Sequence, residues 1–189
     1  YDRKKTTRKI VSAMDVVHAL ASELNFSTGL LPKNCLWWTN TQSGPVYALY
    51  EEPRKRTLAV QFDANKPPER YHIPLPGIIF TCSPGKPPFV YAVKRRPSKL
   101  NDVVYKAPFL NVNDNGLSCA GSNTYPADIT KIPESFWMSF FSTHGIESNR
   151  SKKHPKNIVR LWEWLTTLKE YPMDDLIKLG TISSLVKEN

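Results

Sequence analysis

The sequence has no apolar run long enough to cross a bilayer, no signal-peptide pattern, and neither internal repeats nor low-complexity tracts. It has only three cysteines, Cys35, Cys82 and Cys119, at wide spacing and without a CxxC pair. A zinc site, a redox dithiol and a disulfide framework are therefore not predicted. Scattered thiols fit a reducing compartment, so we expect a cytoplasmic protein without a membrane partner.

Acidic residues are comparatively few, with 17 Asp and Glu against 26 Lys and Arg, which gives a net charge of +9. The basic residues lie in short clusters at residues 3–9, 54–56, 94–99 and 152–156. Each cluster alone is typical of solvated surface, whereas together they favour an acidic partner. No DNA-reading motif is present, so nucleic acid ranks last among the expected partners.

The N-terminal part predicts an amphipathic helix over residues 8–24, preceded by a basic extension at residues 1–9. Apolar positions recur there at helical spacing on one face: Val11, Met14, Val17 or His18, and Ala21. The stretch "NFSTGLLPKN" then breaks the helix with a glycine and a proline.

A strand-rich block follows. The segments "CLWWTN", "PVYALYEE" and "TLAVQFD" are short and rich in β-branched or aromatic residues, and they predict an antiparallel meander with hairpin-length links. "GIIFTCS" and "PFVYAVKRR", joined by "PGKP", predict two further strands. From residue 97 the pattern loses its periodicity, but Val103, Val104, Phe109 and Leu110 predict a packed, ordered crossing.

The last third predicts helices. "IPESFWMSFFSTHG" places four aromatic side chains for one buried face: Phe136, Trp137, Phe140 and Phe141. "KNIVRLWEWLTTLKEY" has an apolar stripe of Ile158, Leu161, Trp162, Leu165 and Leu168, within a helical C-terminal part at residues 152–189. The chain therefore predicts a single α+β domain, residues 1–189, with segregated helices and strands.

The three cysteines predict different environments. Cys35 and Cys82 lie in apolar strands and are expected to be structural. Cys119 follows the turn-forming "NDNG" and has the small neighbours Ser118 and Ala120, which leave its sulfur open to another chain. The sequence leaves open whether Cys119 is a nucleophile or a turn cysteine. All four histidines are distant from it in sequence, and no protease signature is present.

The stretch "NVNDNGLSC" resembles the active-site segment of ubiquitin-conjugating enzymes. In that family an asparagine precedes the cysteine by eight positions and a glycine precedes it by three, as Asn111 and Gly116 precede Cys119. Phe109-Leu110-Asn111 stands where those enzymes have His-Pro-Asn. Four blocks in order, "GLLPKNCLWW", "KAPFLNVNDNGLSCAGS", "FFSTHG" and "YPMDDLIKLGTISSL", are similar to prokaryotic ubiquitin-conjugating-like family D, the PRTRC system protein B-like branch.

The resemblance implies a ubiquitin-conjugating-like fold with an N-terminal helix, an antiparallel meander, an active-site cysteine loop and C-terminal helices. It implies that Cys119 accepts a ubiquitin-like protein as a thioester and passes it to an amine. Asn111 would stabilise the oxyanion or hold the cysteine loop, the alternative being a turn residue that bonds its own backbone. His144 would transfer protons at the site, the alternative being a residue that ends its helix.

The partners that the resemblance implies are a ThiF-type activating enzyme, a ubiquitin-like protein and a JAB-type metallopeptidase. It also implies that the first helix and its basic extension dock the activating enzyme. No metal or organic cofactor is expected, because nucleotide would be used by the activating enzyme. The alternative function is an inactive scaffold with the same fold, and the presence of Cys119 in the expected register argues against it.

Overall fold

A computed structural model gives the fold and describes residues 11–23, 29–142 and 149–187. The chain divides into two compact units, residues 1–31 and residues 32–189. The first unit contains helix α1, Ala13–Glu23, which lies within the predicted N-terminal helix. The hydroxyl of Ser12 accepts the N–H of Asp15 at 3.0 Å and so caps the start of α1.

The second unit contains the remaining described elements. In chain order its strands are β1 Cys35–Thr41, β2 Gly44–Glu51, β3 Arg54–Gln61, β4 Glu69–Leu75, β5 Gly77–Cys82, β6 Phe89–Val93, β7 Val103–Lys106, β8 Phe140–Ser142 and β9 Lys178–Thr181. Its α-helices are α2 Ile132–Trp137, α3 Ile158–Thr166 and α4 Ile182–Lys187.

Six strands form one sheet in the order β1-β2-β5-β6-β7-β9, and every neighbouring pair is antiparallel. This sheet contains the predicted hairpin of β1 and β2. The two further predicted strands, β5 and β6, lie in it too and pair with each other. It also contains β7, which lies inside the crossing that the sequence predicted to be packed. The fold is therefore mixed α/β with a largely antiparallel sheet, as the sequence predicted in outline.

The predicted three-strand meander is wrong at its third strand. β3 does not pair with β2; it pairs with β4 on one side and with β8 on the other, in a second sheet of order β4-β3-β8. β4 was not predicted, because its residues "ERYHIPL" mix charge with a proline. The alternation in β3, with Leu58 and Val60 buried, identifies a strand but not its partner.

Both faces of the six-stranded sheet are apolar. In β5, Ile78 and Phe80 face the main core, whereas Ile79 between them faces a second cluster that includes Ile182 and Leu185 of α4. The main core also takes up side chains from β3, β4 and α3. The predicted stripe of α3 lies there, with Ile158, Leu161, Trp162 and Leu165 buried and Leu168 packed at the edge.

The predicted helix at residues 132–145 ends early. α2 stops at Trp137, and Phe140 begins strand β8. Phe136, Trp137 and Phe141 are buried as expected, but Phe140 is 57% exposed. The expected helical C-terminal part also contains a strand, β9, which joins the six-stranded sheet. Aromatic residues at 136, 137, 140 and 141 fit helical spacing, but the strand that begins at 140 places 140 and 141 on opposite faces.

Candidate functional site

The segment that leads to Cys119 is anchored in the core. Phe109 and Leu110 are fully buried, and the ring of Phe109 lies 5.3 Å from that of Trp137 and 5.7 Å from that of Phe136. The carbonyl of Pro108 accepts the indole N–H of Trp162 in α3 at 2.8 Å. Phe109 and Leu110 therefore serve as apolar anchors of this segment.

A tight turn follows this anchor. The N–H of Gly116 donates to the carbonyl of Asn113 at 2.9 Å, and the side-chain oxygen of Asn115 accepts the N–H of Leu117 at 3.0 Å. Gly116 has φ +94°, a conformation that favours glycine, and it lies against the ring of Tyr91. The Tyr91 hydroxyl donates to the carbonyl of Asn115 at 3.2 Å. A side chain of β6 therefore supports the turn.

After the turn the chain runs beside β6 and beside its own incoming half. The carbonyl of Gly116 accepts the N–H of Val90 at 2.7 Å, and the N–H of Ser118 donates to the carbonyl of Pro88 at 3.0 Å. The N–H of Cys119 donates to the carbonyl of Asn111 at 2.8 Å. The backbone of Cys119 is thus held by hydrogen bonds in an ordered loop. This agrees with the ordered crossing predicted from the sequence.

The Cys119 side chain is exposed. It lies in a small, partly open pocket of about 150 Å³. The residues that line this pocket are Asn111, Cys119, Ala120, Gly121, Ser122, Asn123, Phe140 and Ser142. Apart from Cys119, the described lining residues carry no ionisable side chain, so the pocket presents uncharged groups, all small or medium-sized except Phe140, to a visiting chain.

The side chain of Asn111 joins the cysteine loop to β8. Its Nδ2 donates to the carbonyl of Phe140 at 2.9 Å, and its Oδ1 accepts the N–H of Ser142 at 3.0 Å. The structure therefore does not show the alternative in which Asn111 bonds its own turn. Within the described ranges, one amide hydrogen of Asn111 has no acceptor.

Of the other two thiols, Cys82 is fully buried, as expected, whereas Cys35 is only half-buried. Burial raises the pKa of Cys82 from 9.0 to about 12, with a smaller contribution from Cys35. Burial also raises the pKa of Cys35, whose Sγ donates to the carbonyl of Trp37 at 3.2 Å. The raised pKa values favour the protonated thiols over the thiolates, which are the reactive form.

Two buried hydroxyl groups, those of Ser118 and Tyr125, lie close to Cys119. Burial raises the pKa of Tyr125, and the neighbouring Ser118 hydroxyl lowers it by less. The remaining predicted site residue, His144, lies outside the described residues.

Two site residues were missed from the sequence. Phe140 and Ser142 line the pocket of Cys119, yet Phe140 was assigned to a buried helical face. The signal available was that "SFFS" is also a short alternating stretch compatible with a strand.

Residues 11–23, 29–142 and 149–187 contain no group of three or more His, Cys, Asp and Glu side chains that could hold a metal ion. Over the same ranges, no helix is long and apolar enough to cross a membrane.

Comparison with known proteins gives one match. The family model of prokaryotic E2 family D, where E2 denotes the ubiquitin-conjugating class, matches residues 12–179. That range includes α1, the strands β1 to β8, the first two residues of β9 and the complete loop of Cys119. No curated protein matches the chain. No solved structure matches it either.

Proposed function

Because this chain belongs to prokaryotic E2 family D, we propose that Cys119 carries a ubiquitin-like protein as a thioester. The observation that supports this role most directly is the exposed sulfur on a loop held by backbone hydrogen bonds, in a pocket whose described lining is otherwise uncharged. A fixed nucleophile with open approach suits transfer between two large proteins, since both must reach the same atom.

In the first step the Cys119 thiolate attacks the C-terminal carbonyl carbon of the ubiquitin-like protein, which is held as a thioester on the activating enzyme. A carbon–sulfur bond to Cys119 forms, and the bond to the cysteine of the activating enzyme breaks. That cysteine leaves as a thiolate, so charge and electrons balance without a further reactant.

In the second step an acceptor amine attacks the same carbonyl carbon. A carbon–nitrogen bond forms, the bond to Cys119 breaks, and Cys119 leaves as a thiolate. The amine must lose a proton, and the described lining of the pocket supplies no acid or base for it. His144, which follows Ser142 by two positions, remains the candidate for this proton transfer.

Asn111 would have two roles in this scheme. One amide hydrogen and the side-chain oxygen hold β8 against the cysteine loop. The second amide hydrogen is the donor that we assign to the oxyanion of the tetrahedral intermediate. The same carboxamide would then shape the pocket and stabilise the negative charge that develops in it.

The partners in this proposal follow from the family resemblance. They are a ThiF-type activating enzyme, which would consume the nucleotide, a ubiquitin-like protein, and a JAB-type metallopeptidase. The three cysteines are free, and a thioester intermediate needs a compartment in which the thiol stays reduced, so a bacterial cytoplasmic location is part of the proposal.

The test is to incubate the full chain with its activating enzyme, ATP and the ubiquitin-like protein, and to separate the products without reductant. We expect an adduct that is cleaved by thiol, is absent in Cys119→Ala and persists in Cys35→Ser. A folded wild-type chain that forms no adduct would instead support the inactive scaffold. An adduct that persists in Cys119→Ala would place the thioester on another residue.

A further inference from the structure

Arg150 is a buried cation next to the cysteine loop, and the proposed chemistry does not use it. Its side chain is 2% exposed, although arginine is rarely buried without partners. It lies between β8 and α3, far in sequence from the loop that it contacts. A guanidinium group in this position has to be compensated by the groups around it.

The compensation comes from the two sides of the crossing that precedes Cys119. Nη1 of Arg150 donates to the carbonyl of Ala107 at 3.1 Å, and Nη2 donates to the carbonyl of Val112. These carbonyls lie five residues apart, on either side of the anchor formed by Phe109 and Leu110. The planar fork of a single arginine therefore connects the end of β7 to the start of the turn.

Val112 is adjacent in sequence to Asn111, whose carbonyl accepts the backbone N–H of Cys119. Val112 forms an isolated β-bridge with Ser118, and the neighbouring carbonyl of Asn111 accepts the N–H of Cys119 at 2.8 Å. A displacement of Val112 would therefore be transmitted to Cys119 through one peptide unit and one hydrogen bond.

The loop also supplies the counter-charge. The Oδ1 atom of Asp114 lies 4.0 Å from Nη2 of Arg150, and the same carboxylate pairs with the Nζ of Lys106 in β7. Asp114 belongs to the turn itself. The tip of the turn is thus drawn toward Arg150 and β7 by charge, while its base is held by the two carbonyl contacts.

We propose that Arg150 is a positioning residue that fixes the position and orientation of Cys119 through Val112 and Asn111. The inference rests on the proposed thioester function for its kinetic consequence, but not for its structural one. Because Arg150 is buried, it does not contact the activating enzyme, so its effect should fall on the rate of transfer and not on the recognition of that enzyme.

The matched variants are Arg150→Lys, which keeps the charge but lacks the fork, and Arg150→Met, which keeps an unbranched chain without charge. Arg160→Met is the control, since Arg160 is an exposed arginine on α3 that pairs with Glu163 at 2.9 Å. A displacement of about 1 Å can slow a transfer by about 100-fold. We expect Arg150→Lys to lower kcat for thioester formation by about 10-fold or more, with KM for the activating enzyme unchanged.

Native-state hydrogen exchange provides a readout that does not need the partners. In Arg150→Lys the amides of Ser118 and Cys119 should exchange about 10-fold faster, while amides of β5 in the core keep their rates. In a folded variant, a wild-type kcat or an unchanged Cys119 amide overturns the proposal. Global unfolding of both variants also overturns it, because Arg150 would then act on the whole fold.

Failure of the proposed function gives a different result. If the wild-type chain forms no adduct, the thioester role fails, and the exchange rates of Ser118 and Cys119 still decide whether Arg150 fixes the loop. If the wild-type chain is charged but Arg150→Lys is charged equally fast, the thioester role stands and the positioning role of Arg150 is wrong.

Discussion

The Nδ2 atom of Asn111 donates to the carbonyl oxygen of Phe140 at 2.9 Å. The Oδ1 atom of the same amide accepts the N–H of Ser142 at 3.0 Å. One side chain therefore forms hydrogen bonds with two backbone groups of β8. The opposite edge of β8 pairs with β3. The carbonyl of Phe140 and the N–H of Ser142 point to the same edge of β8, because they belong to alternate residues of the strand. The carboxamide therefore occupies the position that a neighbouring strand would take.

This relationship predicts a specific defect in Asn111→Asp. The carboxylate keeps the acceptor for Ser142 but places a second oxygen against the Phe140 carbonyl. We expect the free energy of unfolding to fall by about 1 to 3 kcal/mol, measured by urea denaturation, and thioester formation to slow. Asn123→Asp is the control, because Asn123 lines the same pocket but, among the described residues, bonds only through its backbone N–H. Equal effects in the two variants would show that added charge, not loss of the β8 contact, is responsible.

Part of this site could be predicted from local sequence, but the contacts that join the cysteine loop to β8 could not. The turn around Gly116 and the exposed position of Cys119 follow from "NDNG" and from the small residues after it, because turn chemistry is local. The pairing of β8 with β3 joins residues about 80 positions apart, and no periodicity encodes which strand is the partner. The contacts of Asn111 and Arg150 depend on that long-range arrangement and could not be predicted.

The fold shows the same division. The buried face of α3 was predicted, since helical spacing is sufficient evidence for it, and β5 and β6 were predicted as strands, although their pairing was not. The fate of Phe140 was not, because an aromatic residue at helical spacing is also compatible with a short strand. The long-range pairing of β8 with β3 and the packing of Phe141 against Trp162, at 5.4 Å between rings, distinguish the two.

Gly116→Ala should be strongly destabilising. Gly116 has φ +94°, and a Cβ there would overlap the ring of Tyr91. Gly85→Ala is the matched control, since Gly85 also has a positive φ, +71°, but a Cβ there would meet open space. The control should lose about 1 kcal/mol or slightly more, which is the conformational cost alone. Gly116→Ala should lose clearly more by urea denaturation; equal losses would mean that Tyr91 moves aside at little cost.

Phe140→Ala should impair transfer without impairing the fold. Phe140 is 57% exposed and lines the pocket of Cys119, so an incoming C-terminal tail would pack against its ring. We expect KM for the charged activating enzyme to rise about 10-fold, which corresponds to about 1.4 kcal/mol of lost contact. Met138→Ala is the control, because Met138 is 75% exposed and does not line that pocket. A similar rise in both variants would indicate a general loss of apolar surface.

Alkylation should distinguish the three thiols. Cys119 is exposed, whereas burial raises the pKa of Cys35 and of Cys82. Brief treatment of the native chain with iodoacetamide at pH 8 should therefore add a single carbamidomethyl group, located on Cys119 by peptide mass analysis. The same treatment in urea should modify all three. Equal modification of Cys82 in the native chain would contradict its burial.

The burial of Cys82 also predicts a loss of stability in alkali. Its pKa is raised from 9.0 to about 12 in the folded chain, so above pH 9 the unfolded chain releases a proton that the folded chain retains. The unfolded state then binds fewer protons, and the free energy of unfolding falls as pH rises. One such group contributes a slope of about 1.4 kcal/mol per pH unit between these two values.

Other groups act in the same direction but can be separated. Burial raises the pKa of Cys35 from 9.0 as well and that of Tyr71 from 10.0 to about 12, so the wild-type slope steepens with pH. In Cys82→Ala the pH-independent cost of the lost sulfur lowers stability at every pH, whereas the slope between pH 9 and 10.5 should become shallower by nearly one proton. Urea denaturation at several pH values measures that slope directly. An unchanged slope would mean that the Cys82 thiol ionises as readily in the folded chain as in the unfolded one.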